Sequence, residues 1–155
     1  MIIYGLLKGI LDYISSKKRA SCSDLFVAIA RTQPPLYCFG HIYKGYGVKL
    51  MTWREHIRER SNHLTDTDNG RGMVIEKLSG LRASELDSED LKEEKIRKLE
   101  ERRRDRYYVT SHCQGDEHKI ERGRQTLFMN AAIQGTEEEP VQLPWLVDIE
   151  LLRAG

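Results

Sequence analysis

The sequence predicts an α/β fold, with a sheet region built from residues 1–53 and 124–155 and a polar, charged insertion over 54–123 that carries a helix near 84–107. Three observations predict it. The apolar runs fall at the two ends of the chain and are short and bounded by glycine and proline, as strands are. Leu25, Phe26, Ile29 and Ala30 repeat at helical spacing between two such runs. The middle of the chain is dominated by charge, with too few large apolar residues to make a second core.

Ile2-Ile3-Tyr4 reads as the end of a strand running into the loop at Gly5. A helix opens at Ser21 or Ser23, either of which can cap it, with Asp24 suited to its first turn. It must stop before Pro34-Pro35, because proline lacks the amide and clashes with the preceding turn. Leu36-Tyr37-Cys38-Phe39 is a buried-strand pattern, and a glycine-bearing loop leads from it into a second strand over 48–53. Residues 61–71 are rich in Asn, Asp, Thr and Gly and read as loop. In the charged helix, Leu86, Leu91, Ile96 and Leu99 form a stripe too narrow to bury a face, so the helix is expected to be solvated. Its acids come first and its arginines last, which suits the helix dipole, and Glu93–Arg97 and Glu94–Lys98 are spaced to pair. Strands return over 126–130 and 145–151, separated by an exposed turn at Glu137-Glu138-Glu139-Pro140.

Composition excludes several classes. Twenty-five Lys and Arg against 24 Asp and Glu leave a net charge of +1, which predicts no nucleic-acid partner and no acidic-ligand partner from the whole-chain field. No apolar run approaches the ~18 residues of a membrane span, so no membrane partner is expected. Cys22, Cys38 and Cys113 are an odd number without C-x-x-C spacing, which argues against a disulfide framework or a structural zinc site and for a cytoplasmic location.

Chemistry concentrates at Gly40-His41-Ile42-Tyr43-Lys44-Gly45-Tyr46-Gly47. A histidine directly after a strand and a glycine is held rigidly, as a metal-ligating imidazole must be, although a lone histidine is more often an ordinary hydrogen-bonded residue. Asn130 ends a strand at the same sheet edge and is placed to support this loop by hydrogen bonding. Cys38 reads as core, and Trp53 and Trp145 as packing across the sheet. Asp66-Thr67-Asp68-Asn69 and Asp116-Glu117-His118 read as solvated loop, and His56, His63 and His112 carry no special reading.

The 40–47 stretch resembles the G-H-I-H-E-G-(Y/W)-G motif of the calcineurin-like metallophosphoesterase superfamily, in the branch of the metallophosphoesterase-domain-containing proteins. Tyr4-Gly5-Leu6-Leu7-Lys8-Gly9-Ile10-Leu11-Asp12 resembles that branch's T-H-G-P-P-x-G-I-L-D loop. Residues 125–132 and Pro144-Trp145-Leu146-Val147-Asp148 resemble its closing strands. The resemblance implies the C-terminal part of a β-sandwich flanked by helices, and metal-dependent hydrolysis of a phosphoester. The implied cofactors are divalent ions (manganese, iron, zinc or magnesium), which acidify a bridging water and clamp the phosphate oxygens.

The departures bear directly on that chemistry. His41 fits one metal ligand, but the other ligand positions fall on Tyr4 and Tyr43, and Lys44 stands where the motif has an acid. A neutral tyrosine, with an ordinary pKa of about 10, is a poor substitute for imidazole. Gly40, Lys44, Gly45, Gly47 and Asn130 would edge the site without ligating. The family's D-x-H, G-D and G-N-H motifs do not occur in the chain. One imidazole cannot hold a dinuclear centre, so no catalytic residue is assigned and the chain can stand without a bound metal. The expectation is a truncated phosphoesterase-type chain, weak or inactive alone. One rival is a non-catalytic interaction protein that docks or self-associates through exposed sheet edges and the charged helix. Another has the ligand-bearing half encoded upstream of Met1.

Overall fold

Helix α1 (Ser23–Thr32) forms where the apolar spacing predicts it and buries Phe26, Ile29 and Ala30. The computed structural model describes residues 10–11, 23–58, 62–135 and 140–151, so the strand expected at Ile2-Ile3-Tyr4 and most of the Glu137-Glu138-Glu139 turn lie outside the described residues. α1 ends at Gln33, whose left-handed backbone (φ 41°) lets its amide bond the Ile29 carbonyl at 2.7 Å just before the prolines. Strand β1 (Leu36–Phe39) follows, then a single 3-10 turn at Tyr43–Gly45, then β2 (Gly47–Trp53). The charged middle contributes β3 (Thr67–Lys77), the short α2 (Leu78–Leu81), α3 (Glu89–Asp105) and β4 (Tyr108–Ser111). The chain closes with β5 (Gln125–Asn130), β6 (Gln134–Gly135), β7 (Pro140–Gln142) and β8 (Trp145–Asp148).

The fold is α/β. Its main sheet has four strands in the order β1-β5-β2-β3, so the strands on either side of the 3-10 turn are not neighbours. β5 lies between them, parallel to β1 and antiparallel to β2. Alternation along β2 and β5 sends side chains to opposite faces. On one face Met51, Trp53 and Phe128 pack with Ile10 and with Phe26, Ile29 and Ala30 of α1. Trp53 lies 5.8 Å from Phe26 and 6.2 Å from Phe128 between ring centroids, and its indole N–H donates to Thr126 Oγ1 at 2.8 Å. Each such aromatic stabilises the fold by about 1.5–3 kcal/mol through burial. On the other face Val48, Leu50, Leu127 and Met129 are covered partly by Trp145 and Val147 of β8, which pairs in parallel with β4. Both faces of the sheet are therefore packed, and among the described residues the outer strands are β1 and β3.

Two strands run through the segment whose composition reads as polar. β3 begins at Thr67, inside the stretch expected to be loop, because pairing with β2 overrides local turn preference. Between Leu50↔Met73 and Thr52↔Asp68 the register shifts, and Asn69-Gly70-Arg71-Gly72 bulge out, which is where the turn-forming residues sit. Asp66 and Thr67 are consequently buried rather than solvated. Cys38 also departs from its expected core position and is exposed, since β1 is an outer strand.

α3 starts later than composition suggests. Ser88 is the N-cap, with its hydroxyl accepting from Leu91 N at 3.3 Å, and Leu86 lies outside the helix in solvent. The helix buries no residue, as its narrow stripe predicts, and ends with Arg106 in the left-handed region. Lys98 pairs with Glu94 at 2.6 Å, but Arg97 pairs forward with Glu101 at 3.3 Å rather than back with Glu93. Among the described residues no helix is long and apolar enough to cross a membrane.

After β4 the chain is stapled by Asp116, whose Oδ2 accepts from Ser111 Oγ and from Cys113 N, each at 2.6 Å. These bonds hold its carboxyl below the usual range, the Ser111 hydroxyl contributing most. A lowered folded-state pKa stabilises the protein above the unfolded value, about 3.9, and that contribution fades as pH falls through the folded value. Asp116→Asn is therefore expected to be less stable than the native chain at pH 7 and to show a flatter loss below about pH 4. Urea midpoints measured from pH 2 to 7 check this, and parallel acid limbs would refute it.

Candidate functional site

The loop from Gly40 to Tyr46 leaves the C-terminal end of β1 beside the C-terminal end of β5, where Phe39 and Gly47 both register against Asn130. Its backbone is anchored from beneath. The fully buried Asn130 donates from Nδ2 to the carbonyls of Ile42 at 2.8 Å and Leu11 at 3.2 Å, and its Oδ1 accepts from Ala132 N at 3.2 Å. The buried Gln142 donates to the Tyr43 carbonyl at 2.6 Å. Tyr46 donates its hydroxyl to the Leu143 carbonyl at 2.6 Å and stacks on Trp145 with centroids 5.5 Å apart. Burial, more than any other influence, pushes that phenol far above its ordinary pKa, so it is a permanent donor.

Two glycines are required by this closeness. A Cβ on Gly45 would stand 2.0 Å from the Leu11 carbonyl oxygen and 3.0 Å from Asn130 Nδ2. Gly47 has φ +151°, and a Cβ there would meet the Glu76 carbonyl oxygen at 2.4 Å. His41 sits at φ 76°, a left-handed conformation that histidine tolerates better than most residues. It is exposed, as are Tyr43 and Lys44.

The structure thus gathers Gly40, His41, Tyr43, Lys44, Gly45 and Gly47 into one loop with Asn130 beneath it, while Tyr4 lies outside the described residues. Leu11, Gln142 and the Tyr46 hydroxyl are anchors that sequence reading missed. The signal for Gln142 was a single amide between the apolar Val141 and Leu143. The fit to a metal centre is poor. Among the described residues no group of three or more His, Cys, Asp or Glu is placed to hold a metal ion. His41 contributes one imidazole, next to a phenol two residues on and then an ammonium.

Comparison with known proteins gives a partial answer. No family model matches the chain, and no solved structure matches it. Fifty residues, 31% of the chain, are 42% identical to metallophosphoesterase domain-containing protein 1 from Homo sapiens, and an equal match is found in Mus musculus. The similarity is local. The matched stretch spans 15% of the length of each of these curated relatives.

The anchoring predicts how substitutions divide. Gly45→Ala drives a methyl into a backbone oxygen and is expected to cost about 3 kcal/mol or more. Asn130→Ala strands the buried Ile42 carbonyl and the partly buried Leu11 carbonyl and should cost about 2–4 kcal/mol. Gly40→Ala, whose added carbon would find its nearest neighbour at 3.9 Å, should stay within about 0.5 kcal/mol of the native chain. Equilibrium unfolding in urea reads all three, and equal costs for Gly40→Ala and Gly45→Ala would contradict the packing described.

Proposed function

We propose that this chain is a metallophosphoesterase-type phosphoester-hydrolase relative that has lost the ligands for its divalent metals and has little or no hydrolytic activity of its own. The local identity to metallophosphoesterase domain-containing proteins supports the relationship. One observation carries the loss of activity: the exposed tip of the anchored loop presents Tyr43 and Lys44 where the resembling motif has a histidine and an acid. Phosphoester hydrolysis by this chemistry needs a metal-acidified water and cationic clamps on the phosphate oxygens. A single imidazole supplies neither. The free thiols of Cys38 and Cys113 favour a reducing, cytoplasmic setting.

The direct test is turnover of an aryl phosphodiester by the purified chain with manganese. The expected rate equals that of His41→Ala, and a native rate above that control overturns the proposal.

A second reading, non-catalytic association, is favoured by β3. This outer strand of the main sheet exposes Met73 and Val74 and leaves one row of backbone groups without a strand partner among the described residues. Light scattering at rising concentration is then expected to show a dimer that Val74→Lys weakens. A monomer at every concentration would remove this reading.

A further inference from the structure

At the opposite end of β2 from the loop, about 20 Å along the strand, an open cleft of about 530 Å³ is lined by Arg54, Arg58, Arg71 and Arg124. These arginines come from four places in the chain, and backbone bonds hold each one there. Arg54 is fixed where β2 ends: its amide bonds the Asp66 carbonyl at 2.9 Å and its Nε donates to the Thr67 carbonyl at 3.1 Å. The Arg58 amide donates to Oδ1 of the buried Asp66 at 3.2 Å. Arg71 lies on the β3 bulge, with its carbonyl accepting from Thr52 Oγ1 at 3.4 Å, and bulges commonly re-aim a side chain in this way. The Arg124 carbonyl accepts from Trp53 N at 2.7 Å.

The charge in this cleft is unbalanced. Among the described residues, Glu55 and Asp68 are the carboxylates that line it against the four guanidinium groups, with Asp66 buried behind Arg54 and Arg58. Asp68 reaches Arg71 at a long 3.8 Å, and Arg124 reaches Glu121 at 3.8 Å, both pairs substantially exposed and so weak. Among the described residues no ion pair engages Arg54 or Arg58. Among the lining residues four arginines stand against two carboxylates, an excess of +2, while Glu121 and Asp66 lie just outside the lining. Guanidinium forks match phosphate oxygens in pairs, and a concave wall concentrates their field. The hydroxyls of Thr52 and Thr65 also line the cleft. A volume in the range of small-molecule sites exceeds what one phosphate fills.

We propose that this cleft binds a small molecule carrying adjacent phosphate groups, a diphosphate in free or esterified form. The site is separate from the 40–47 loop and needs no metal, so its fate and that of the inactive-hydrolase reading are decided by different experiments.

Calorimetry at low ionic strength with inorganic pyrophosphate and with ADP tests it. A Kd below about 1 mM is expected for at least one of them. Similar affinities assign recognition to the diphosphate alone, and at least tenfold tighter binding of ADP assigns it to a nucleoside ester. Arg58→Gln and Arg124→Gln, each checked for an unchanged melting temperature, should weaken binding at least fivefold. Arg103→Gln on α3 removes the same charge elsewhere and should change it less than twofold. No heat with either probe, or equal weakening by Arg103→Gln, overturns the proposal. So does a single-stranded oligonucleotide that binds ten times more tightly than ADP, which would indicate a nucleic-acid surface instead.

Discussion

Strand β5 holds the rest of the molecule in place. Its residues from Thr126 to Asn130 are all buried, since it lies inside the sheet between β1 and β2. Phe128 feeds the cluster under α1, while Leu127 and Met129 feed the cluster under β8. Its last residue, Asn130, then supplies the amide that ties the 40–47 loop and the Leu11 segment to the sheet. A strand late in the chain thus sets the spacing between two strands much earlier in it. The 3-10 turn has to climb over its end, which is why the loop needs a glycine at 45 where Leu11 and Asn130 crowd it.

Hydrogen bonding distinguishes the inward side of this loop from its outward side. Its inward carbonyls at Ile42 and Tyr43 are met by buried amides, so leaving them unpaired would cost about 1–3 kcal/mol each. That investment is typical of a loop whose outward side chains must be held in place for chemistry. Yet the side chains held there are one imidazole, a phenol and an ammonium. The anchoring is therefore a property of the backbone and does not depend on what the outward side chains do. Stability requirements account for it, because these bonds tie the loop and Leu11 to the sheet.

What was legible in the sequence follows from the range over which each element is decided. α1, β1, β2 and β5 announce themselves through local apolar spacing, and the prolines after Gln33 stop α1 where the structure does. α3 was legible in type and solvation but not in its start, because both Ser84 and Ser88 are competent caps and only the turn closed by Asp87 onto Ser84 chooses between them. β3 was hidden because Asn69 and Gly70, strong turn formers, sit in a bulge that only pairing with β2 reveals. Asn130 could be placed at the loop from sequence alone, since it ends a strand at the right edge. The arginine cleft could not. Its members lie at 54, 58, 71 and 124, and nothing in their spacing signals convergence.

The near-neutral charge balance conceals how differently the two parts of the chain use their charges. On α3 and its approach, Lys92 pairs with Glu89, Lys95 with Asp87, Lys98 with Glu94 and Arg97 with Glu101, all at 2.6–3.3 Å. The helix therefore neutralises much of its own field at short range, and its terminal arginines are complemented by the helix dipole. The strand ends behave differently. Arginines there are tied down at the backbone, Arg54 also donating from Nε to the Thr67 carbonyl, and the two ion pairs they make are longer, at 3.8 Å each. An arginine anchored through its main chain keeps its side chain available for a ligand. That distinction, and not the number of charges, makes the cleft at the end of β2 rather than the arginine-rich helix the place where an anion would be recognised.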